Sequence, residues 1–466
     1  MLFNSLEFVL FFFIVWLLYY LLRRTLRIQN ILLLIASYTF YSFWDWRFLS
    51  LVLLSTIVDY FCGLKLGDPN TKNRKFFLII SVVFNLGILA IFKYAGFFIT
   101  EFVNLLALFG VQANEPSLNI ILPLGISFYT FQTMAYTIDV YRRKIPHEKD
   151  ILNLALYVSF FPQLVAGPIE RAQNLLPQIK NQRNVTVTDI LEGGWLIYFG
   201  YFLKVFVADN LAKIVNSIFA LEEVRFFETV TGAYAFAFQI YGDFAGYTFI
   251  AIGVARLLGF RLMTNFLFPY FVTNAQDFWR NWHISLSTWL KDYLYIPLGG
   301  NRFGKWMTFR NLMLTMLLGG LWHGAAWNFV IWGFYHGLLL ILFRMALGKN
   351  EITTKWKKYL AIIFMFQLTC IGWLIFRVEN MYQLGMMLQS LVEFEAWSSS
   401  ELNNIKRVIF YSTLPILITF YQYKTNSGNM LDKMPNALRV LLYVIMFYAI
   451  FALGEFGKQE FIYFQF

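Results

Sequence analysis

His323 is the residue of this chain best suited to proton-transfer chemistry. It lies in the stretch Gly319-Gly-Leu-Trp-His-Gly324, inside a long apolar region, and the chain has only four histidines. An ionisable side chain at membrane depth is costly and usually functional, and imidazole titrates near neutrality, as a general base or acid requires. On the residues alone, a packed histidine that hydrogen-bonds a neighbouring carbonyl is an equal alternative. His336, in the middle of the next apolar segment, is more typical of a structural or supporting residue.

A second histidine, His283, lies in an amphipathic segment from Gln276 to Arg310. A continuous helix there places four polar side chains on one face: Arg280, His283, Ser287 and Lys291. The basic residues favour the cytoplasmic side of a membrane. The alternative is an interfacial amphipathic helix with no chemical role.

Asp243 is the third candidate, since it also lies in an apolar segment. Gln239, Asp243 and Tyr247 follow each other at intervals of four and therefore share a helix face. Gly242 and Gly246 predict a close contact with another helix. A carboxylate in a membrane needs a partner, so Asp243 either orients a catalytic group or, as we favour, is a structural hydrogen-bond anchor.

Composition places these residues in a polytopic membrane protein. Hydrophobic residues make up 59% of the 466 positions and charged residues only 14%, well below the share in soluble domains. The net charge of +11 comes mostly from short loops, which indicates membrane topology and not nucleic-acid binding. Both cysteines lie in apolar segments, and no His-rich cluster exists in the sequence, so we predict neither a disulfide framework nor a bound metal.

The elements that must position these side chains are apolar helices with alternating loops. Basic clusters after the first, third and fifth apolar segments are predicted inside, and loops 99–118 and 378–405 outside, which leaves both termini extracytoplasmic. Segment 311–322 has about twelve apolar residues, or roughly 18 Å of helix, which predicts that His323 lies within the membrane. Breaker-rich stretches at 123–129 and 160–170 predict interrupted helices around a cavity, as in an enzyme tunnel or a transporter.

Several motifs together identify a family resemblance. They are Leu122-Pro-Leu-Gly-Ile-Ser-Phe-Tyr-Thr-Phe-Gln132, Phe161-Pro-Gln-Leu-Val-Ala-Gly-Pro168, Ala208-Asp-Asn-Leu-Ala212, Asp277-Phe-Trp-Arg-Asn-Trp-His through Arg302, Gly319 through Asn328, and Phe461-Ile-Tyr-Phe-Gln-Phe466. The chain resembles the membrane-bound O-acyltransferase (MBOAT) superfamily over nearly its whole length, and within it the bacterial branch that O-acetylates alginate. The sequence departs from the family pattern at Ala245 and Phe249, where a serine and an aspartate are frequent, and at Asn281, which replaces a frequent arginine.

The resemblance implies an all-α polytopic fold, a ring of about eleven transmembrane helices with re-entrant and interfacial helices around a tunnel. It implies one domain over 1–466, with N-terminal helices at 1–145, a core at 146–345 and C-terminal helices at 346–466. His323 corresponds to the family's essential intramembrane histidine and His283 to its second, cytoplasm-side histidine. Residues expected to support them are Asp243, Gln239, Trp322, Asn328 and His336, while Arg280 and Lys291 are candidates for phosphate contacts.

The implied activity is transfer of acetyl groups from cytoplasmic acetyl-CoA, a substrate and not a bound cofactor, to an extracytoplasmic polysaccharide such as alginate or peptidoglycan. The partners are the lipid bilayer of a bacterial inner membrane and a periplasmic SGNH-type acetyltransferase, with no nucleic acid. D-alanyl transfer to teichoic acid is an alternative. Two further alternatives are a transporter or channel without acyl chemistry and a scaffold that recruits a secreted acetylating partner. The intact histidine pair argues against them.

Overall fold

The computed structural model describes residues 1–112, 121–165, 167–347, 354–426, 433–457 and 461–462. Within those ranges the chain is helical, and none of the described residues forms a β-strand. Part of the predicted outside loop (113–120), Ala166 of the second motif and residues 463–466 of the last motif lie outside the described residues.

The chain forms two compact units, Met1–Trp195 with Ala251–Met263, and Leu196–Ile250 with Thr264–Phe466. The helices of the first unit are α1 (Leu6–Leu21), α2 (Leu26–Asp45), α3 (Leu49–Gly67), α4 (Arg74–Leu89), α5 (Ala95–Leu108), α6 (Ile126–Tyr141), α7 (Ile151–Ser159), α8 (Phe161–Leu164) and α9 (Ala172–Lys180). Two helices contribute residues to both units, α10 (Val187–Tyr201) and α12 (Phe226–Leu257).

The second unit contains α11 (Asp209–Phe219), α13 (Ala275–Asn281), α14 (Ile284–Leu290), α15 (Gly304–His323), α16 (Trp327–Leu347), α17 (Lys355–Arg377), α18 (Met381–Ser390), α19 (Ser399–Thr425) and α20 (Asn436–Leu453). Short 3-10 or π-helical turns extend helices at Trp46–Phe48, Ala90–Tyr94, Phe202–Ala208 and Lys291–Tyr295.

Six helical stretches among the described residues are long and apolar enough to cross a membrane. They are Leu26–Gly67, Arg74–Leu108, Val187–Phe219, Trp327–Ala346, Lys355–Arg377 and Asn436–Leu453. A crossing needs about 20 mostly apolar residues because the hydrocarbon core is about 30 Å thick. α1, with 16 residues, is a shorter apolar helix.

Buried polar side chains join α3, α4 and α6 in the first unit. Asp59 accepts hydrogen bonds from Ser81 Oγ at 2.5 Å and from Asn85 Nδ2 at 2.8 Å, and Thr133 Oγ1 donates to Asn85 Oδ1 at 3.1 Å. All four side chains are buried. Since lipid offers no hydrogen bonds, such contacts hold membrane helices together.

The breaker-rich stretch at 160–170 interrupts the helix as its composition predicts. Phe160 separates α7 from α8, and the side-chain amides of Gln132 and Gln163 both donate to the carbonyl oxygen of Tyr157, at 2.5 and 2.7 Å. These amides satisfy backbone groups where the helix ends, which a non-helical segment inside a membrane protein requires.

Close backbone contact between α15 and α16 positions His323 in the second unit. A Cβ on Gly320 would collide with the carbonyl oxygen of Phe329, and one on Gly333 with that of Met316, so glycine is required at both positions. His323 is the last residue of α15, and α16 begins four residues later.

α15 is longer than the apolar pattern predicts. It runs for 20 residues from Gly304, which is about 30 Å of helix, whereas the apolar run covers only 311–322. The first turns, which carry Lys305 and Arg310, are polar yet helical, so hydropathy excludes them from the segment. The expectation of a short helix is therefore wrong, and helix length no longer locates His323 at mid-membrane.

Candidate active site

Three of the four histidines meet in a buried aromatic cluster of the second unit. The ring centres of His283 and Trp322 are 6.0 Å apart, and those of Trp322 and His323 are 5.1 Å apart. His323 in turn lies 5.0 Å from Trp332, and Trp332 lies 4.7 Å from His336. All five side chains are buried. The fold thus brings together the two histidines that the motifs single out, because both of their rings contact the indole of Trp322.

His323 is packed among aromatic rings at the end of α15. The ring of Phe376, on α17, is 5.5 Å from it at an angle of 77°. Asn328, which belongs to the same motif as His323, donates from Nδ2 to the carbonyl oxygens of Phe376 and Val378 at 3.1 and 2.9 Å. Asn328 therefore ties the start of α16 to the end of α17, beside the histidine, and contacts backbone through its amide.

His283 lies at a break in the amphipathic segment. α13 ends at Asn281, Trp282 is extended, and His283 has a φ of 43° in the left-handed region before α14 begins. The single continuous face predicted for Arg280, His283, Ser287 and Lys291 is therefore wrong for the histidine. Its imidazole points into the protein interior, with no exposed surface, while the other three side chains line a cavity.

The environment of His283 favours a neutral imidazole. Its Nδ1 lies 3.1 Å from Asn265 Oδ1, and the ring of Phe244 contacts it edge to face at 4.7 Å. Burial lowers the pKa of His283 to about 3, because desolvation penalises the charged form. A neutral imidazole can accept a proton on its unprotonated nitrogen, which a general base must do.

The cavity beside this cluster has a volume of about 1080 Å³. Its walls come from α13, α14, the following π turn, α15 and α16, and they carry four cations: Arg280, Lys291, Arg302 and Arg344. Asp277 also lines it and accepts a hydrogen bond from Arg280 at 2.9 Å. An excess of cations over acids suits an anionic ligand with phosphate groups.

An aromatic layer separates this cavity from His323. Trp279 lines the cavity and contacts Trp332 at 5.6 Å and His336 at 5.2 Å. His336 also stacks on Phe278 at 5.7 Å, so it supports the layer and is itself buried. None of the three histidines is among the residues that line the cavity, and His336 is the one that contacts Trp279 directly.

Asp243 has a cation as its partner. Lys204 Nζ lies 2.7 Å from Asp243 Oδ1 and 2.7 Å from Asp209 Oδ1, and all three side chains are buried. The backbone N–H of Ile462 donates to Asp243 Oδ2 at 2.6 Å. These contacts are those of an anchor that holds the chain after α20 against α12.

Two glycines and a glutamine of α12 lie where their spacing in the sequence predicts. A Cβ on Gly242 would lie 2.9 Å from the carbonyl oxygen of Leu203, and one on Gly246 would lie 2.9 Å from that of Gly200. Gln239 is buried one turn earlier. Ala245 and Phe249, the two departures from the family pattern, are buried apolar residues here.

Asn265 and Lys204 are not among the residues predicted from the sequence, and Asp209 occurs there only within the motif Ala208–Ala212. Lys204 gave a signal, since a lysine inside an apolar segment is costly without a partner. Asn265 gave none, because it lies within an irregular stretch and meets His283 only through the tertiary fold.

Comparison with known proteins identifies the class to which this helical fold and histidine cluster belong. A model of the family described as MBOAT, membrane-bound O-acyltransferase family, matches residues 33–385. The chain belongs to this family, and it is therefore an acyltransferase and a multi-pass membrane protein.

Among its relatives is a protein of Pseudomonas aeruginosa named probable alginate O-acetylase AlgI, 44% identical over 86% of this chain and 77% of the relative. The protein of that name in Pseudomonas putida is 39% identical over the full length of both. The peptidoglycan O-acetyltransferase of Helicobacter pylori is 35% identical over 93% of this chain and 91% of the relative.

Proposed function

We propose that this protein is an O-acetyltransferase that takes acetyl groups from cytoplasmic acetyl-CoA and delivers them across the membrane for O-acetylation of an extracytoplasmic polysaccharide. The proposal rests on two buried histidines, His323 and His283, which both contact Trp322 and lie near a basic cavity. Relatives named for alginate and peptidoglycan O-acetylation support acetyl as the group transferred.

In the proposed reaction, His323 removes the proton of the attacking hydroxyl. The hydroxyl oxygen forms a bond to the thioester carbonyl carbon, the carbon–sulfur bond breaks, and the thiolate takes a proton from the imidazolium. The products are an acetyl ester and the free thiol, with the imidazole neutral again. General-base help of this kind is typically worth about 10²–10⁴-fold in rate.

The cavity supplies the proposed donor site. Arg280, Lys291, Arg302 and Arg344 line it and would hold the CoA phosphates by charge-assisted hydrogen bonds. His283 lies near this donor end and would orient the thioester or pass a proton. Trp322, His336, Asn328, Asp243 and Gln239 would keep the histidines and their helices in place.

The architecture we propose is one functional domain over 1–466, composed of the segments 1–145, 146–345 and 346–466. About eleven crossing helices would surround a tunnel through the inner membrane of a bacterium. The charge pattern of the loops favours extracytoplasmic termini. A periplasmic SGNH-type partner would carry the acetyl group to the polymer.

The test uses purified protein in lipid with acetyl-CoA labelled on the acetyl group. Wild type should release the label from CoA when a hydroxyl acceptor or the SGNH-type partner is present, and His323→Ala and His283→Ala should lose this activity. His147→Ala is the matched control, because this fourth histidine is only half-buried and lies in the first unit. Full activity of His323→Ala would exclude the mechanism, and flux of a solute without loss of acetyl from CoA would favour a transporter.

The topology has its own test in a background without the two native cysteines, which are both buried. The predicted outside loop 99–118 is helical as far as Leu108, where α5 ends. Val111→Cys, at an exposed position after that helix, should react with a membrane-impermeant maleimide in intact cells. Lys72→Cys, exposed in a predicted inside loop, should react only after lysis. The opposite pattern would reverse the orientation.

A further inference from the structure

One buried amide holds the imidazole of His283. Asn265 Oδ1 lies 3.1 Å from His283 Nδ1, and it accepts hydrogen bonds from the backbone N–H of Ser285 at 3.1 Å and from Ser285 Oγ at 2.9 Å. The three residues are fully buried. Three polar groups therefore converge on a single oxygen beside the histidine.

The backbone N–H of Ser285 fixes which way the amide of Asn265 faces. A backbone N–H can only donate, so its neighbour at 3.1 Å must be the oxygen of the amide and not its NH₂ group. The oxygen carries no hydrogen, and the contact with His283 therefore requires that Nδ1 be the donor. The imidazole then carries its proton on Nδ1 and its lone pair on Nε2.

The backbone around the two residues keeps this geometry. The N–H of Ile284 donates to the carbonyl oxygen of Asn265 at 3.0 Å, and the N–H of Leu267 donates to that of Asn281 at 3.2 Å. His283 itself has a φ of 43°, a left-handed conformation that a non-glycine residue adopts only when its surroundings impose it. The main chain and the side chain of Asn265 thus both determine where the imidazole lies.

We infer that Asn265 is a positioning residue that selects the Nδ1–H tautomer of His283 and so makes Nε2 the nitrogen that handles protons during acyl transfer. The part concerning acyl transfer rests on the proposed function, whereas the tautomer does not. In the proton-passing role proposed for His283, Nε2 accepts a proton from the imidazolium of His323 and gives it to the departing thiolate sulfur, which leaves both imidazoles neutral. Nδ1 keeps its proton and its bond to Asn265 throughout. The Nε2–H tautomer of His283 would present an N–H at the nitrogen where the lone pair is needed.

The tautomer is measured by ¹⁵N NMR on protein in lipid nanodiscs that is labelled only at histidine. The His283 signals are assigned by their loss in His283→Gln. We expect one protonated nitrogen, coupled as Nδ1, and one unprotonated nitrogen, coupled as Nε2, in the wild type at neutral pH. A wild-type His283 protonated on Nε2 would overturn the inference without any variant of Asn265 having to fold.

Two substitutions of Asn265 then connect the tautomer to activity. Asn265→Asp retains an oxygen acceptor and should keep the Nδ1–H tautomer, with acetyl transfer within about 10-fold of wild type. Asn265→Leu removes the acceptor, and we expect a shift towards the Nε2–H tautomer and a loss of about 10²-fold or more. Ser285→Ala is the matched control, because it removes a hydroxyl beside Nδ1 but keeps the backbone N–H that orients the amide.

The two readouts separate the inference from the proposed function. If Asn265→Leu leaves the tautomer unchanged, Asn265 does not select it and the inference fails, whatever the activity. If the tautomer changes while transfer continues at the wild-type rate, His283 has no part in the chemistry, and the proposed role of this histidine fails.

Discussion

Lys204 offers a sharp test of the energetics of the second unit. Its side chain is 1% exposed, and its ammonium nitrogen lies 2.7 Å from one oxygen of Asp209 and 2.7 Å from one of Asp243. Lys204→Met removes the cation and leaves both buried carboxylates uncompensated. Removing one partner from a buried ion pair typically costs about 3–5 kcal/mol, which is about 10²–10⁴-fold in the unfolding equilibrium.

The assay is equilibrium unfolding in mixed detergent micelles, followed by tryptophan fluorescence. Lys204→Met should lose about 3–5 kcal/mol, and adding Asp209→Asn and Asp243→Asn should restore about half of this loss, since no charge is then left buried. Lys213→Met is the matched control, because Lys213 is 49% exposed in its ion pair with Glu455 and exposed pairs contribute at most about 1 kcal/mol.

A loss of stability in Lys204→Met no larger than in the control would contradict this prediction, and so would a triple variant no more stable than the single one. Either result would mean that the two carboxylates find other compensation in the folded protein. Loss of the ion cluster should also release the segment after α20, because Asp243 holds the backbone N–H of Ile462. Faster proteolysis of the C-terminal segment in Lys204→Met would report that release directly.

Three further predictions concern the cavity and the histidines. Arg344→Gln, in the cavity wall, should raise the KM for acetyl-CoA about 5- to 10-fold with a smaller effect on kcat, whereas Lys305→Gln, exposed and outside the cavity, should change neither. Burial lowers the pKa of His283 to about 3, below its value of about 6.5 in the unfolded chain, so its contribution to stability is full above pH 6.5 and declines as the pH falls from there. A group with a pKa near 3 cannot cause a fall in kcat/KM that begins above pH 5. Any such fall should therefore persist in a partly active His283 variant, and its disappearance would contradict the neutral state of the His283 imidazole. Trp279→Ala should raise hydrolysis of acetyl-CoA relative to transfer, measured with and without acceptor, since the indole separates the cavity from the ring of Trp332; an unchanged ratio would mean that the layer does not exclude water.

The sequence alone predicts the class of fold and the two motif histidines, because these depend on composition and on local motifs. Apolar segments and basic loops indicate a helical membrane protein, and a family model matches residues 33–385. The close helix contact at Gly242 and Gly246 is also predictable, since small residues four apart permit it in any membrane helix.

The exact geometry around His283 could not be predicted, for a physical reason. Arg280 and Lys291 both line the cavity although α13 ends at Asn281 and α14 begins only at Ile284, so the helical spacing in the sequence gives no sign of the break. The left-handed turn at His283 packs against Asn265, which is 18 residues away in the sequence and is recognisable as its neighbour only in the folded chain. The first turns of α15 could not be predicted from hydropathy, because their polar residues lower the hydropathy of the segment without preventing a helix.

We expect acyl transfer at His323 to be separable from donor binding in the basic cavity. The most direct measurement combines the acetyl-CoA dissociation constant with single-turnover loss of the thioester, for wild type and His323→Ala in lipid nanodiscs. For His323→Ala we expect a dissociation constant within about 3-fold of wild type and a rate at least about 10²-fold lower. A variant that turns over at the wild-type rate, or one that loses activity only because it no longer binds acetyl-CoA, would contradict it.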